Sequence, residues 1–451
     1  MKVKKDRSAY LFSNKQLMAL IIPLIIEQTL AVCVGMVDSI MIASVGEAAV
    51  SGVSLVDNIM ILLINAFAAL GTGGAVVAGQ YLGQKRQEEG CKSATQLVWF
   101  MGIAALVITL FVYMGKSLIL HKVFGQIEAD VMGHANTYLL IVTASIPFMA
   151  IYNGGAAIFR AMGNSAMTMG ISFVMNIVNV AGNAMCIYGL KMGTAGVAIP
   201  TLVSRIVAAV LIIIPLCNQK RLLHIKKSLR YRFDWSRVKK ILSIGVPNGL
   251  ENSMFQLGKI MVLSLVSTFG TYAIAANAVS SAVALFQILP GMAISLAVTA
   301  VIARCVGVGD YEQVEYYTKK LCGICYAGLV IMNGVVFLAL PLIMKAYHLS
   351  ARTAHVTEEI VLFHGVACMI IWPISFILPG TFRAAGDAKT CMVISIISMW
   401  VFRIGFSYLL GGYFNLGVMG IWIAMVIDWG VRSICFLVRY RSGKWKNAAI
   451  V

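Results

Sequence analysis

Apolar runs of roughly 17–25 residues, the length that crosses a bilayer, recur along this 451-residue chain between short polar stretches. They predict helices near 16–44, 52–80, 93–114, 136–158, 165–189 and 194–217. A second series follows near 240–267, 275–304, 318–341, 358–381, 390–412 and 417–439. The second six repeat the first six. Pro23 and Glu27 answer to Pro247 and Glu251, 224 residues further on, and Gly46, Gly83 and Gly196 answer to Gly270, Gly307 and Gly420 at the same displacement. With a slip of one, Phe159-Arg160-Ala161-Met162-Gly163 answers to Phe382-Arg383-Ala384-Ala385-Gly386. The expected fold is an all-α polytopic membrane protein, twelve transmembrane helices in two pseudo-symmetric six-helix bundles. Residues 1–217 form the expected N-lobe, 218–240 a basic cytoplasmic linker, and 241–451 the C-lobe. Six spans per half insert both halves the same way, so the repeats are parallel about the membrane normal.

Composition agrees. The chain is 60% hydrophobic and only 12% charged, against about 25% charged in soluble domains. The net charge of +18 raises the question of nucleic acid, but the placement of the cations answers it. They gather in Lys2, Lys4, Lys5 and Arg7, in Lys85-Arg86, along the linker from Lys220 to Lys240, and in Arg439, Arg441, Lys444 and Lys446. The opposite loops hold few, such as Lys116, Lys122, Lys191, Lys345 and Arg352. This is the pattern of topology and anionic headgroups, with both termini and the linker cytoplasmic, membrane lipids as neighbours and no nucleic-acid partner. Leu222, Leu223, Ile225 and Leu229 among the linker cations suggest either an amphipathic helix on the inner leaflet or a solvated loop. The ten cysteines scatter without a disulfide framework, and Cys322-Gly-Ile-Cys325 opens an apolar helix, where packing explains it. Neither HExxH nor GxSxG is present, and of six histidines only His364 lies well inside a span, so no enzyme is expected.

The chemistry rests on a few residues. Of eighteen acids, Glu27 and Asp38 in the first span, Glu251 in the seventh and Asp428 in the twelfth stand out. A charge at that depth is costly and marks a functional candidate. Glu27 and Asp38 are eleven residues apart, about three turns, so they share a helix face about 16 Å apart in height. Pro23 and Pro247 one turn before the glutamates free carbonyls and permit bends. A carboxylate with little water holds a proton more readily, and H⁺ or Na⁺ then competes with a cationic compound for one site. The alternative is structural pairing with Arg205, Lys259 or Arg403. Asp428 reads that way, with Arg432 four residues on and Arg403 on the preceding helix. Asp38, with no basic residue in its helix, reads as functional, and so do Glu27 and Glu251, although Lys259 lies two turns beyond Glu251. Asn176, Asn179 and Asn183 fall on one side of the fifth span. They either glue helices together or line a cavity and serve Asp38 or Na⁺. The twenty-five methionines and the aromatic residues in the spans suit a permissive pocket for flat apolar cations.

In order and spacing, the chain resembles the multidrug and toxic compound extrusion (MATE) family along essentially its whole length. The carrying residues are Pro23…Met36-Val-Asp38-Ser, Gly79-Gln-Tyr-Leu-Gly83, Arg160-Ala-Met-Gly163, Arg383-Ala-Ala-Gly386 and Gly193-Thr-Ala-Gly196-Val-Ala. The resemblance implies the MOP-superfamily fold and a bacterial cytoplasmic-membrane antiporter acting as a monomer. Such a protein exports amphipathic, often cationic compounds against H⁺ or Na⁺ by alternating access, with no cofactor. Asp38 matches the family's first-helix acid and Asn179 the fifth-helix asparagine. Asn183 stands where the DinF-like branch has an aspartate, and Phe255 where the NorM-like branch has a seventh-helix glutamate, so this is a divergent branch. The rival is a flippase for lipid-linked oligosaccharide from the same superfamily, whose anionic cargo calls for a more cationic cavity than Arg205 and Lys259 supply.

Overall fold

A computed structural model describes residues 10–125, 127–225 and 232–451; Lys2, Lys4, Lys5, Arg7, Lys226, Lys227, Leu229 and Arg230 lie outside them. The chain is helical nearly throughout. In order come α1 (Asn14–Ala43), α2 (Glu47–Gly83), α3 (Gln87–Met114), α4 (Ala129–Thr143), α5 (Ile146–Ala161), α6 (Ser165–Ala184) and α7 (Ala195–Leu216). The second series is α8 (Trp235–Ser267), α9 (Thr271–Val308), α10 (Tyr311–Ala346), α11 (Ala351–Ile370), α12 (Trp372–Phe376), α13 (Leu378–Ala385), α14 (Ala388–Ser398) and α15 (Gly417–Ser442). Among the described residues nine helices are long and apolar enough to cross a membrane, and two bent pairs raise the number to eleven. The one further span, seventh in chain order, is α8, made more polar by Arg237, Lys239, Lys240, Glu251 and Lys259.

Three spans depart from the single straight helices the hydropathy predicts. The fourth is α4 plus α5, bent by 49°, and the tenth is α11 plus α12 and α13, bent by 67°. Each break falls just ahead of a proline, Pro147 or Pro373, in the first turn of the following helix, where its missing N–H cannot continue the preceding helix and its ring crowds the carbonyl four residues back. The eleventh passes from α14 into π-helical turns at Met399–Gly405 and Ser407–Tyr413. A shorter π-helical turn, Met185–Gly189, ends the fifth.

By internal contacts, Ile22–Gly249 form one unit and the described residues up to Ile21 form another with Leu250–Val451. The boundaries fall inside α1 and α8, next to Pro23 and Pro247. In the first unit small residues admit close approach. A Cβ on Gly73 would lie 2.4 Å from the Ile241 carbonyl oxygen, and one on Gly182 2.8 Å from the Pro200 side chain. The described part of the linker, up to Ile225, is turn and bend rather than an amphipathic helix. Leu223 is fully buried and fills the space over Gly90, where a Cβ would sit 2.8 Å away. The backbone then returns to α7 through Ile225 N–H, which donates to the Leu216 carbonyl at 2.9 Å.

The second unit carries both ends of the described chain. Leu11 N–H donates to Gln313 Oε1 at 2.9 Å, and the Tyr317 hydroxyl donates to the Phe12 carbonyl at 2.7 Å. Trp445, fully buried, packs among Phe382, Tyr440 and Tyr311. Beyond it the tail crosses Gly386, whose φ is +103° and whose Cβ, if present, would stand 2.1 Å from the Ala448 carbonyl oxygen. Gly386→Ala is therefore expected to cost about 1–3 kcal/mol through backbone strain and to displace the tail. Trypsin cleavage after Lys444 or Lys446 checks it, since cleavage no faster than in the parent chain would show that the glycine is dispensable.

Candidate functional site

The fifth span is amphipathic with its polar side turned inward. Asn176, Asn179 and Asn183 are buried, at 8%, 7% and 0% exposure, while Phe173, Val174 and Ile177 are exposed on the other side of α6. The 3- and 4-residue spacings make one face, and that face meets α1 and α7. Asn183 Nδ2 donates to Asp38 Oδ1 at 2.8 Å. The Asn179 amide stands against both Asp38 and Thr201. With its nitrogen turned to Asp38, it lies 3.0 and 3.2 Å from the two carboxylate oxygens, and its oxygen accepts from Thr201 Oγ1 at 3.2 Å. Turned the other way, the nitrogen donates to Thr201 Oγ1 at 3.2 Å and the oxygen accepts from Asn183 at 3.4 Å. Two atoms of the ladder, Asn183 Oδ1 and Asn176 Nδ2, are buried without a hydrogen-bond partner.

Asp38 makes no ion pair within 4 Å among the described residues. Arg205 on α7 is near enough for its charge to act on Asp38 and on Asp57, yet its guanidinium donates to Ser145 Oγ at 2.7 Å. Asp57 on α2 accepts from the Tyr138 hydroxyl at 3.0 Å. Sequence reasoning missed Asp57, although it lies inside the predicted 52–80 span and the depth rule that singled out Asp38 applies to it as well.

Glu27 sits apart from this cluster. Arg160 Nη2 donates to its Oε1 at 2.8 Å and Thr168 Oγ1 to its Oε2 at 2.8 Å. The second unit repeats the pair, with Arg383 Nη2 3.1 Å from Glu251 Oε2 and Arg432 Nη2 3.6 Å from Oε1. Both first arginines end a helix that a glycine closes. Gly163 N–H donates to the Arg160 carbonyl and Asn164 N–H to that of Phe159, each at 2.9 Å. Gly386 and Asp387 bond Arg383 and Phe382 likewise, at 3.0 and 2.8 Å. A left-handed glycine in this position ends a helix, and an arginine in the last turn suits the helix dipole. The partners of Glu251 are thus Arg383 and Arg432, not Lys259.

Asp428 differs from its expected pairing with Arg432 and Arg403. It is fully buried, Ser398 Oγ donates to its Oδ1 at 2.5 Å, and its Oδ2 has no partner. Neither arginine stands within 4 Å of it among the described residues: Arg432 Nη2 faces Glu251 at 3.6 Å, although the charges of Arg432 and Arg403 still reach Asp428. Among the described residues no group of three His, Cys, Asp or Glu stands close enough together to hold a metal ion.

Comparison with known proteins follows the repeat. The MatE family model matches residues 23–185 and again 247–409, displaced by the same 224 residues. The "Uncharacterized transporter YisQ" of Bacillus subtilis (strain 168) is 28% identical over 440 residues, covering 94% of this chain and 93% of its own. The "Probable multidrug resistance protein NorM" of Thermotoga maritima is 24% identical over 442 residues, 97% and 94% of the two chains. A solved structure described as an outward-facing conformation of a multidrug resistance MATE family transporter of the MOP superfamily superposes with a TM-score of 0.89. It is 21% identical and covers 96% of each chain, a likeness that speaks for the fold. Matched by one family model in both of its repeats, this chain belongs to the MatE family of membrane transporters.

Proposed function

We propose that this protein is a secondary-active efflux antiporter, exporting amphipathic and cationic compounds in exchange for H⁺ or Na⁺ by alternating access. In this reading it sits in a bacterial cytoplasmic membrane with both termini inside and works as a monomer. The observation that carries the reading is Asp38, an acid inside a span that has no ion-pair partner among the described residues and is held by amides. The hydrogen-bond accounting gives it two consistent states. An ionised Asp38 takes N–H groups from Asn183 and Asn179, and Thr201 then turns its single hydroxyl hydrogen to the Asn179 oxygen. A protonated Asp38 donates to the Asn179 oxygen, the amide nitrogen donates to Thr201, and Thr201 keeps its 2.8 Å bond to the Val197 carbonyl. Loading a proton therefore rewires α1, α6 and α7 together. The unpartnered Asn183 oxygen supports Na⁺ as the second reading, because it offers a carbonyl ligand beside the carboxylate. Nothing in the site or the relatives favours the lipid-linked oligosaccharide flippase.

Ethidium efflux from proteoliposomes, with a pH gradient and a Na⁺ gradient imposed separately, tests the proposal. Efflux under one gradient alone is the expected result and names the ion. Silence under both overturns antiport of such cations.

A further inference from the structure

The two repeats part at the far end of the third span, the end opposite the linker. There α3 stops at Met114, and the chain goes on through a single turn at Lys116–Leu118 and a π-helical turn at Ile119–Val123. Its counterpart α10 begins 224 residues after α3 and runs unbroken to Ala346. At the same displacement Lys116 answers to Leu340, which is 3% exposed and belongs to an apolar cluster with Val283, Val336 and Val361. The second unit fills this corner with its own aliphatic side chains. The first leaves it open, as a cavity of about 400 Å³ between the turns that follow α3 and the start of α4.

The walls of this cavity are mixed. Lys116, Ser117 and His121 bring donors, while Leu120 and Met132 bring apolar surface. Asn136 adds an acceptor, because its Oδ1 is buried without a hydrogen-bond partner. A Cβ on Gly133 would meet nothing within 4 Å, so α4 leaves the space free. Among the described residues Lys116 makes no ion pair within 4 Å. No acid lines the cavity, although Glu128 and Asp130 stand exposed on either side of Ala129 in its wall. A buried acceptor without a donor is costly, and an unpaired ammonium beside apolar walls calls for an anion. Phe111, Met114 and Val123 around this end of the span are exposed, so the surroundings are apolar as well.

We infer that this cavity binds the headgroup of a phospholipid from the leaflet opposite the linker, one whose phosphate is joined to a hydrogen-bond donor, as in ethanolamine and glycerol headgroups. Lys116 and His121 hold the phosphate oxygens and Ser117 adds its hydroxyl. The headgroup N–H or O–H goes to Asn136 Oδ1. Leu120 and Met132 meet the first carbons of the lipid, and the exposed Phe111, Met114 and Val123 meet its chains. Free phosphate offers the same oxyanion but no apolar part to match these walls. The lipid does for the first unit what Leu340 and its neighbours do for the second. This site lies outside the efflux reading and does not depend on it.

Native mass spectrometry of the full-length protein in detergent tests the inference. The probes are phosphatidylethanolamine and phosphatidylcholine with the same acyl chains, which share phosphate and net charge and differ in the donor. The parent protein is expected to hold one ethanolamine lipid about fivefold more tightly than the choline lipid, the worth of one hydrogen bond. Asn136→Leu brings that ratio near one. Lys116→Gln combined with His121→Gln weakens both lipids about tenfold. Lys345→Gln, the exposed cation that answers to His121 in the second unit, changes neither. An unchanged elution profile confirms that the variants fold. Equal retention of the two lipids by the parent protein, or retention untouched in the double variant, overturns the inference. Displacement of the bound lipid by inorganic phosphate would make the free anion the occupant and overturn the assignment to lipid.

Discussion

Asp38→Asn is expected to abolish gradient-driven efflux, down to the leak of empty proteoliposomes, in a protein that still folds and binds its substrates. The substitution keeps the shape of the side chain. Its oxygen still accepts from Asn183, and its new N–H donates to the Asn179 oxygen as a protonated Asp38 would. Every hydrogen bond of the loaded state survives, so stability should change by about 1 kcal/mol or less. What disappears is the ability to release the proton and call the amide back. Ethidium binding close to that of the parent protein, together with lost efflux under either gradient, is the outcome that assigns the switch to Asp38. Unchanged efflux would move the coupling to Asp57 or Glu251.

Glu251→Gln is expected to damage the fold instead. It would leave Arg383 and Arg432, 15% and 1% exposed, facing a neutral amide inside a span. Removing one partner of a buried pair costs about 3–5 kcal/mol, because the remaining charge stays buried without compensation. Glu27→Gln should cost less, since Glu27 balances one arginine and Thr168 still bonds the amide oxygen. Thermal unfolding in detergent gives the ranking. In the same assay, adding Arg432→Met to Glu251→Gln should recover part of the loss by removing the stranded charge. A Glu251→Gln protein as stable as the parent, with efflux alone impaired, would return Glu251 to the coupling machinery.

The spans and their repetition could be read because lipid imposes one rule on every crossing segment, and because Pro23, Glu27 and the glycines recur at one displacement. The bends were harder to see. Pro147 and Pro373 mark broken helices, whereas Pro23, Pro200, Pro247 and Pro290 lie inside continuous ones. A proline permits a break, and the packing around it decides whether one forms. Within the site, the Asn176–Asn183 face and Asp38 were legible from helical spacing and depth. Their union was not, since 145 residues separate Asp38 from Asn183. The same holds for Glu27 and Arg160, 133 residues apart. Each belonged to a motif that repeats, and two motifs repeating together was the one available sign that they meet. The π-helical turns around Arg403 had no sign in the sequence. Nor did spacing show that Arg432 turns to Glu251 and leaves Asp428 bonded to Ser398.

The strap at Leu11 and Phe12 sets a timetable for synthesis. Its partners Gln313 and Tyr317 lie 302 and 305 residues further along the chain. At roughly 5–20 residues per second, the ribosome delivers them about 15–60 s after the strap itself has emerged. Throughout that interval Leu11 and Phe12 wait for these partners, whereas the first unit has all its residues once Gly249 is made. Translation speed therefore bears unequally on the two halves. A pause placed between residues 249 and 313 lengthens the wait of the second unit and leaves the first untouched.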